Sequence, residues 1–162
     1  IVSLAEELKL SQQQIALALF AASAVGLIVA RRATFAAEIA GCQVEIGVAG
    51  AMAAAAVVEA AGGSARQAVD AAAISLQNTM GSPCDPGAGA CEVPCHTRNA
   101  VAASSAFTCA DLILGGYANP ISLDETIDAS YEVGKALPGA LRCTARGGCA
   151  VAPSALAMRR LR

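Results

Sequence analysis

The sequence predicts an all-α fold, a compact bundle of about five to seven helices around a cysteine-bearing loop. Three observations carry this. Alanine, the strongest helix former, fills long stretches of the 162 residues. Serine recurs ahead of helical stretches, at Ser11 and Ser122 with Gln14 and Glu125 three residues on, the spacing of a capping box. No run of β-branched residues alternates with period two, so nothing reads as a strand. No internal repeat or dividing linker is present, and residues 1–162 are read as one domain, long enough to bury a core.

In chain order, Ser3 followed by Glu6 and Glu7 marks a first helix start. Ser11 opens a long helix to about Ala30 that is apolar nearly all round, which predicts a central position. Ala33 to Ala40 shows no clear pattern, and Gly41 to Gly47 interrupts the helical pattern with glycine at both ends. Gly50 to Ala61 is almost wholly small residues, a helix that neighbours can approach closely. Gly62-Gly63 stops it and Ser64 caps the next, Ala65 to Met80. Beyond the cysteine loop a helix runs from about Thr97 to Leu114 and ends at Gly115-Gly116. Asn119-Pro120 is a turn; the helix opened by Ser122 runs to about Ala136 and stops near Pro138-Gly139. The tail carries Arg146-Gly147-Gly148-Cys149 and a short helix from about Pro153.

Composition narrows the function. Eleven Lys and Arg against 13 Asp and Glu give a net charge of −2, with no basic stripe, which argues against nucleic acid. Aromatics are 3% with no Trp, so base-stacking platforms are not expected. The hydrophobic fraction of 56% and mean hydropathy of +0.54 raise the question of a membrane. The most apolar stretch, Ile15 to Ala30, is about 16 residues, short of the roughly 20 a span needs, and it ends at Arg31-Arg32. A buried core helix is the better expectation. Ile1 to Leu10 carries Glu6, Glu7 and Lys9 and lacks the apolar run of a signal peptide. Seven cysteines is an odd count for a secreted disulfide framework, so reduced thiols in the cytoplasm fit better.

The stretch Cys84 to Cys95 holds three of those cysteines with two prolines and two glycines. A loop rich in thiols and poor in core-forming residues reads as a site. Thiolates on Gly/Pro-rich loops hold iron–sulfur clusters. Cys84 and Cys95 could converge on one, joined by Cys42 from its glycine-flanked turn. Three thiolates on a four-iron cluster would leave one iron open as a Lewis acid. Spacing alone leaves zinc and plainly buried thiols open as well, since no C-x-x-C pair exists. Cys109, inside an apolar helix, reads as core. Cys91 is a loop neighbour or substitute ligand, and Cys143 and Cys149, flanking the Arg-Gly-Gly turn, could reach the site but read first as structural. His96, the only histidine, is a candidate base or ligand, or a helix cap. Arg98 and Asn99 could bind a carboxylate. Arg146 with Gly147-Gly148 could form an anion-binding turn, or a plain glycine cap.

At these residues the chain resembles the α subunit, or α domain, of the iron–sulfur-dependent L-serine dehydratases (L-serine ammonia-lyases). The family's Gly-Cys-Gln-x-Glu-(Val/Ile)-Gly turn resembles Gly41 to Gly47. Its Cys-Asp-Pro-x-x-Gly…Val-Pro-Cys-x-x-Arg-Asn-Ala loop resembles Cys84 to Ala100, its Ser-Leu-Asp…Tyr-Glu-x-Gly-Lys helix Ser122 to Lys135, and its Thr-(Ser/Ala)-(Arg/Lys)-Gly-Gly turn Thr144 to Gly148. The resemblance covers roughly Ala16 to Ala152. It implies a 4Fe-4S cluster on Cys42, Cys84 and Cys95. It also implies dehydration of L-serine through aminoacrylate to pyruvate and ammonia, with the open iron as Lewis acid for the departing hydroxyl.

Substrate-binding candidates are Arg98, Asn99, Arg146 and Gly147, with no catalytic base assigned. The resemblance implies a partner β chain or β domain and an oligomer. His96, Cys91, Cys143 and Cys149 stand where the family usually has other residues, and none takes a role from it. The family's upstream Pro-Thr-Asn-Gly segment has no counterpart here, so the expectation is the C-terminal part of an α subunit. Two alternatives stand beside this lyase: a catalytically incompetent helical domain that binds a β partner, and a related cluster lyase for another β-substituted amino acid.

Overall fold

The structure, a computed structural model that describes residues 1–158, is all-α as expected. Its helices are α1 (Val2–Glu7), α2 (Gln12–Arg32), α3 (Ala37–Ala40), α4 (Ile46–Ala60), α5 (Ala65–Gln77), α6 (Cys95–Leu114), α7 (Leu123–Ala136) and α8 (Pro153–Leu156). Short 3₁₀ turns lie at Cys42–Val44, Gly87–Gly89, Gly139–Leu141 and Gly148–Val151. Among the described residues the sheet-like pairing is a single isolated parallel bridge, Cys84 with Arg142.

The serine caps form as the sequence predicts. Ser11, Ser64 and Ser122 each accept a hydrogen bond from the backbone N–H three residues on. Gln14, Gln67 and Glu125 reach back to the cap residue's own N–H. Each box satisfies two N–H groups that helix geometry leaves without partners. Ser3, in contrast, lies inside α1, whose cap is Ile1.

The centre of the bundle differs from expectation. Helix α4, with 11 of its 15 residues buried, packs against α2, α5 and α6. Helix α2 buries only Ala18, Val25, Gly26 and Val29 of its 21 residues and leaves Leu17, Leu19, Phe20 and Leu27 exposed. An apolar surface all round permits burial on any side, but only one stripe of α2 meets a neighbour. Small residues decide the matter for α4, because Ala and Gly let three helices close on one axis. By length and composition α2 and the segment Cys42–Ala60 would each reach across a bilayer; the second is 72% buried within the fold, as a core helix is.

Glycines at the start of α4 serve packing instead of ending a helix. A Cβ on Gly47 would sit 2.4 Å from Thr79 Oγ1, and one on Gly50 3.1 Å from Ser75 Oγ. Helix α4 therefore begins before Gly50, directly after the Cys42 turn. Helix α6 likewise starts at Cys95, two residues before the expected Thr97, and α5 ends at Gln77 instead of Met80. These boundaries bring three connections to one end of the bundle: the turn before α4, the loop between α5 and α6, and the turns after α7.

Candidate metal centre

Each thiol of the candidate site is delivered by a different piece of local structure. Gly41 has φ +75°, a conformation glycine tolerates best, and it turns the chain from α3 into the 3₁₀ turn that begins at Cys42. Gln43, fully buried, donates to Ala40 O (2.9 Å) and accepts from the Gly81 N–H (2.7 Å). This side chain ties the Cys42 turn to the start of the cysteine loop. Cys84 is held by two backbone bonds: its N–H donates to Leu141 O and its carbonyl accepts from the Cys143 N–H, both 2.8 Å. Cys95 opens α6 directly after a cis Val93–Pro94 bond.

The three thiols are buried, with exposures of 2% for Cys42, 1% for Cys84 and 8% for Cys95. The thiols of Cys42 and Cys84 and the carboxylate of Glu45 all lie within 4.8 Å of one another. Cys42 and Cys84 share an apolar cluster with Ala37, Ile46 and Ala102, against which Cys143 packs. Cys95 lies outside that trio but close enough for charge on Cys42 to oppose its ionisation.

Burial pushes the Cys42 thiol up, with Cys84 and the Arg98 charge pulling it partly back. Burial also pushes Cys84 up, reinforced by the neighbouring thiols of Cys143 and Cys42. Cys95 is pushed up to about 11 by burial, then by Cys42 and Cys91. Burial outweighs the positive charge of Arg98 at these thiols, so they favour the neutral form until a cation is bound.

Beside the thiols lies a buried ion pair. Arg98 Nη1 donates to Asp85 Oδ1 at 2.7 Å and to Pro83 O at 3.0 Å, and it stands 3.9 Å from Cys42 Sγ. Asp85, 2% exposed, accepts at its other oxygen from the Cys149 N–H at 2.6 Å. Burial works against the Asp85 charge, but the Cys149 N–H and the Arg98 guanidinium outweigh it and hold the carboxyl below its usual range. Burial likewise disfavours the Arg98 charge, and Asp85 more than offsets it. The anion on the Arg-Gly-Gly turn is thus Asp85 of the same chain. A cavity of about 300 Å³ opens beside this network, lined by Cys42, Asn78, Thr79, Ser82, Arg98 and Ser105 among others.

The other residues singled out from the sequence are distributed as follows. Asn99 is exposed and donates to Cys95 O at 2.9 Å. Arg146 is exposed and Gly147 half-buried. His96, Cys91 and Cys149 are exposed, and Cys109 lies in the main core as expected. Cys143 lies next to Cys84, nearer the site than its sequence position suggested. Sequence reasoning missed Gln43, Glu45 and Asp85. Their signal was present, since each stands beside or one turn from a cysteine, but spacing alone gives an acid or an amide there no task.

The donor set suits a soft metal. Buried sulfur ligands select zinc, copper(I) or iron–sulfur centres over hard cations, and the Cys42 and Cys84 thiols, without disulfide partners, meet beside an arginine. The residues present therefore fit a thiolate-bound metal group.

Comparison with known proteins identifies the family. A sequence model described as serine dehydratase alpha chain matches residues 1–150. The probable L-serine dehydratase alpha chain of Bacillus subtilis is 47% identical over 92% of this chain and 50% of its own length. The L-serine dehydratase alpha chain of Peptoniphilus asaccharolyticus is 44% identical over 84% of this chain and 47% of its own. L-serine dehydratase 1 of Escherichia coli is 42% identical over 81% of this chain and 29% of its own. The chain spans half or less of the length of these relatives, and on the family match and these identities it belongs to the serine dehydratase alpha-chain family.

Proposed function

We propose that this chain is the cluster-bearing α portion of an L-serine ammonia-lyase that converts L-serine to pyruvate and ammonia in the cytoplasm. Cys42, Cys84 and Cys95 would hold a 4Fe-4S cluster. The observation that carries this is the convergence of Cys42 and Cys84 from distant turns to within 4.8 Å, with Cys95 in electrostatic reach of Cys42. When bound, the cluster would supply a Lewis-acidic iron for a poor leaving group, the serine hydroxyl.

The chain's own residues do the rest. Gln43 and the Cys84–Arg142 bridge hold the turns that carry Cys42 and Cys84. Arg98 is oriented by Asp85 through Nη1, and among the described residues its Nε and Nη2 make no hydrogen bond, so they would serve as donors for a substrate carboxylate at the 300 Å³ cavity. Asn99, Arg146 and Gly147 are the further candidates for substrate contacts. The relatives are up to about three times longer than their matched segments, which supports a β chain or β domain as the partner that completes the site.

The test is anaerobic reconstitution with iron and sulfide. The wild-type protein should develop broad absorbance in the blue that air bleaches, and Cys84→Ser should abolish it. An intact cluster in Cys84→Ser would sink the ligand assignment. Turnover should appear with the complementary β part present, and serine, threonine and cysteine compared as substrates give the preference.

A further inference from the structure

Glu45 is an acid on a thiol site, and its place there has a structural cause. Cys42 and Glu45 stand three residues apart across a 3₁₀ turn, closed by the Glu45 N–H donating to Cys42 O at 3.1 Å. In a 3₁₀ turn the side chains at i and i+3 eclipse, so the thiol and the carboxylate project from the same side. Glu45 also occupies the N-cap position of α4 without making a side-chain cap bond. Its carboxylate is not engaged in holding the helix, and it lies within 4.8 Å of both Cys42 Sγ and Cys84 Sγ.

We propose that Cys42, Cys84 and Glu45 form a mononuclear site for one thiophilic divalent cation, zinc or ferrous iron, that fills when the cluster is absent. Two sulfurs and one carboxylate oxygen make the three-ligand set of an open tetrahedral site, with water in the fourth position. Tetrahedral ligands at about 2.3 Å from a metal lie about 3.8 Å apart, so the observed spacing closes by roughly 1 Å of side-chain adjustment. The exposed Glu45 carboxylate provides the entry path, and the two buried thiols complete the site behind it. Each thiol gives its proton to solvent as the cation binds, and no redox step is involved. Cys95 takes no part. The mononuclear site shares two ligands with the proposed cluster, so occupation by one excludes the other. Zinc, which binds such ligands more tightly than ferrous iron, would then block cluster assembly.

The experiment uses the whole protein, stripped of iron by chelator under anaerobic conditions, with Cys91 and Cys149 replaced by Ser to remove the exposed thiols. Cobalt(II) serves as the optical probe and zinc as its competitor. One equivalent of cobalt should bind with intense thiolate charge-transfer bands, displaced by one equivalent of zinc. Cys95→Ser should leave this binding intact while abolishing the reconstituted cluster, which separates this site from the cluster reading. Glu45→Gln should weaken cobalt at least about tenfold, since losing a direct ligand costs no less than losing a group that orients one, with unchanged far-ultraviolet circular dichroism. Wild-type affinity in Glu45→Gln, loss of cobalt binding in Cys95→Ser, or retained charge-transfer bands in Cys42→Ser would each overturn the proposal.

Discussion

Replacing Asp85 by Asn keeps the size of the side chain and removes its charge. In the wild-type fold each carboxylate oxygen has one donor: Arg98 Nη1 at 2.7 Å and the Cys149 N–H at 2.6 Å. An amide has one oxygen, so one donor keeps a neutral acceptor while the other faces an NH₂ group. A hydrogen bond to a charged group contributes about 1.5–3 kcal/mol, and a buried group left without a partner costs about 1–3 kcal/mol. The full penalty of about 3–5 kcal/mol for an orphaned buried charge is not reached, because the Arg98 side chain is 25% exposed and water can reach it. The expected loss is about 2–4 kcal/mol. At about 3 °C per kcal/mol for a domain of this size, Tm should fall by roughly 9 °C. Thermal and urea unfolding of iron-free protein, followed by far-ultraviolet circular dichroism, measures this without interference from a cluster. A double-mutant cycle with Arg98→Gln isolates the pairwise part. A loss under about 1 kcal/mol in Asp85→Asn, or no coupling to Arg98, would refute the account of this network.

Three further substitutions or treatments follow from the same structure. Gly148→Ala should destabilise by about 2–4 kcal/mol in the same unfolding assay, because the residue has φ +59° and its Cβ would lie 2.3 Å from Asp85 Oδ2. Ser122→Ala should cost about 1 kcal/mol through loss of the α7 capping box, seen as a small fall in Tm with no effect on cluster content. In the iron-free protein at mildly alkaline pH, iodoacetamide should label Cys91 and Cys149 first; Cys42, Cys84 and Cys95 should stay unmodified until denaturant is added, as read by peptide mass spectrometry.

The parts of this fold that were legible in sequence are those governed by neighbours along the chain. The caps at Ser11, Ser64 and Ser122 and the turn at Gly62-Gly63 follow from rules spanning four residues, and they stand where those rules place them; Ser3 does not. The exchange of centrality between α2 and α4 was not legible. Hydropathy says that a surface can be buried and is silent on which helix finds neighbours on three sides. Cys42 is a candidate from its glycine-flanked turn and the resemblance strengthens it, although no spacing rule links it to Cys84. Gln43 and Asp85 also act across long separations, to Gly81 and to Cys149. Their identities are plain in the sequence, but their partners exist only once the helices have packed.

The pairing of Cys84 with the strand-like segment after α7 sets a kinetic condition on the site. Cys84 is 1% exposed and its backbone is held there by two bonds, to Leu141 and from Cys143. Both belong to an isolated bridge, not to an extended ladder. Local fluctuations that break so few bonds require far less free energy than global unfolding. The breathing of this short clasp, and not the melting of the bundle, would then set how often the Cys84 thiol meets solvent. Amide hydrogen exchange at Cys84 and Cys143 would report its frequency directly.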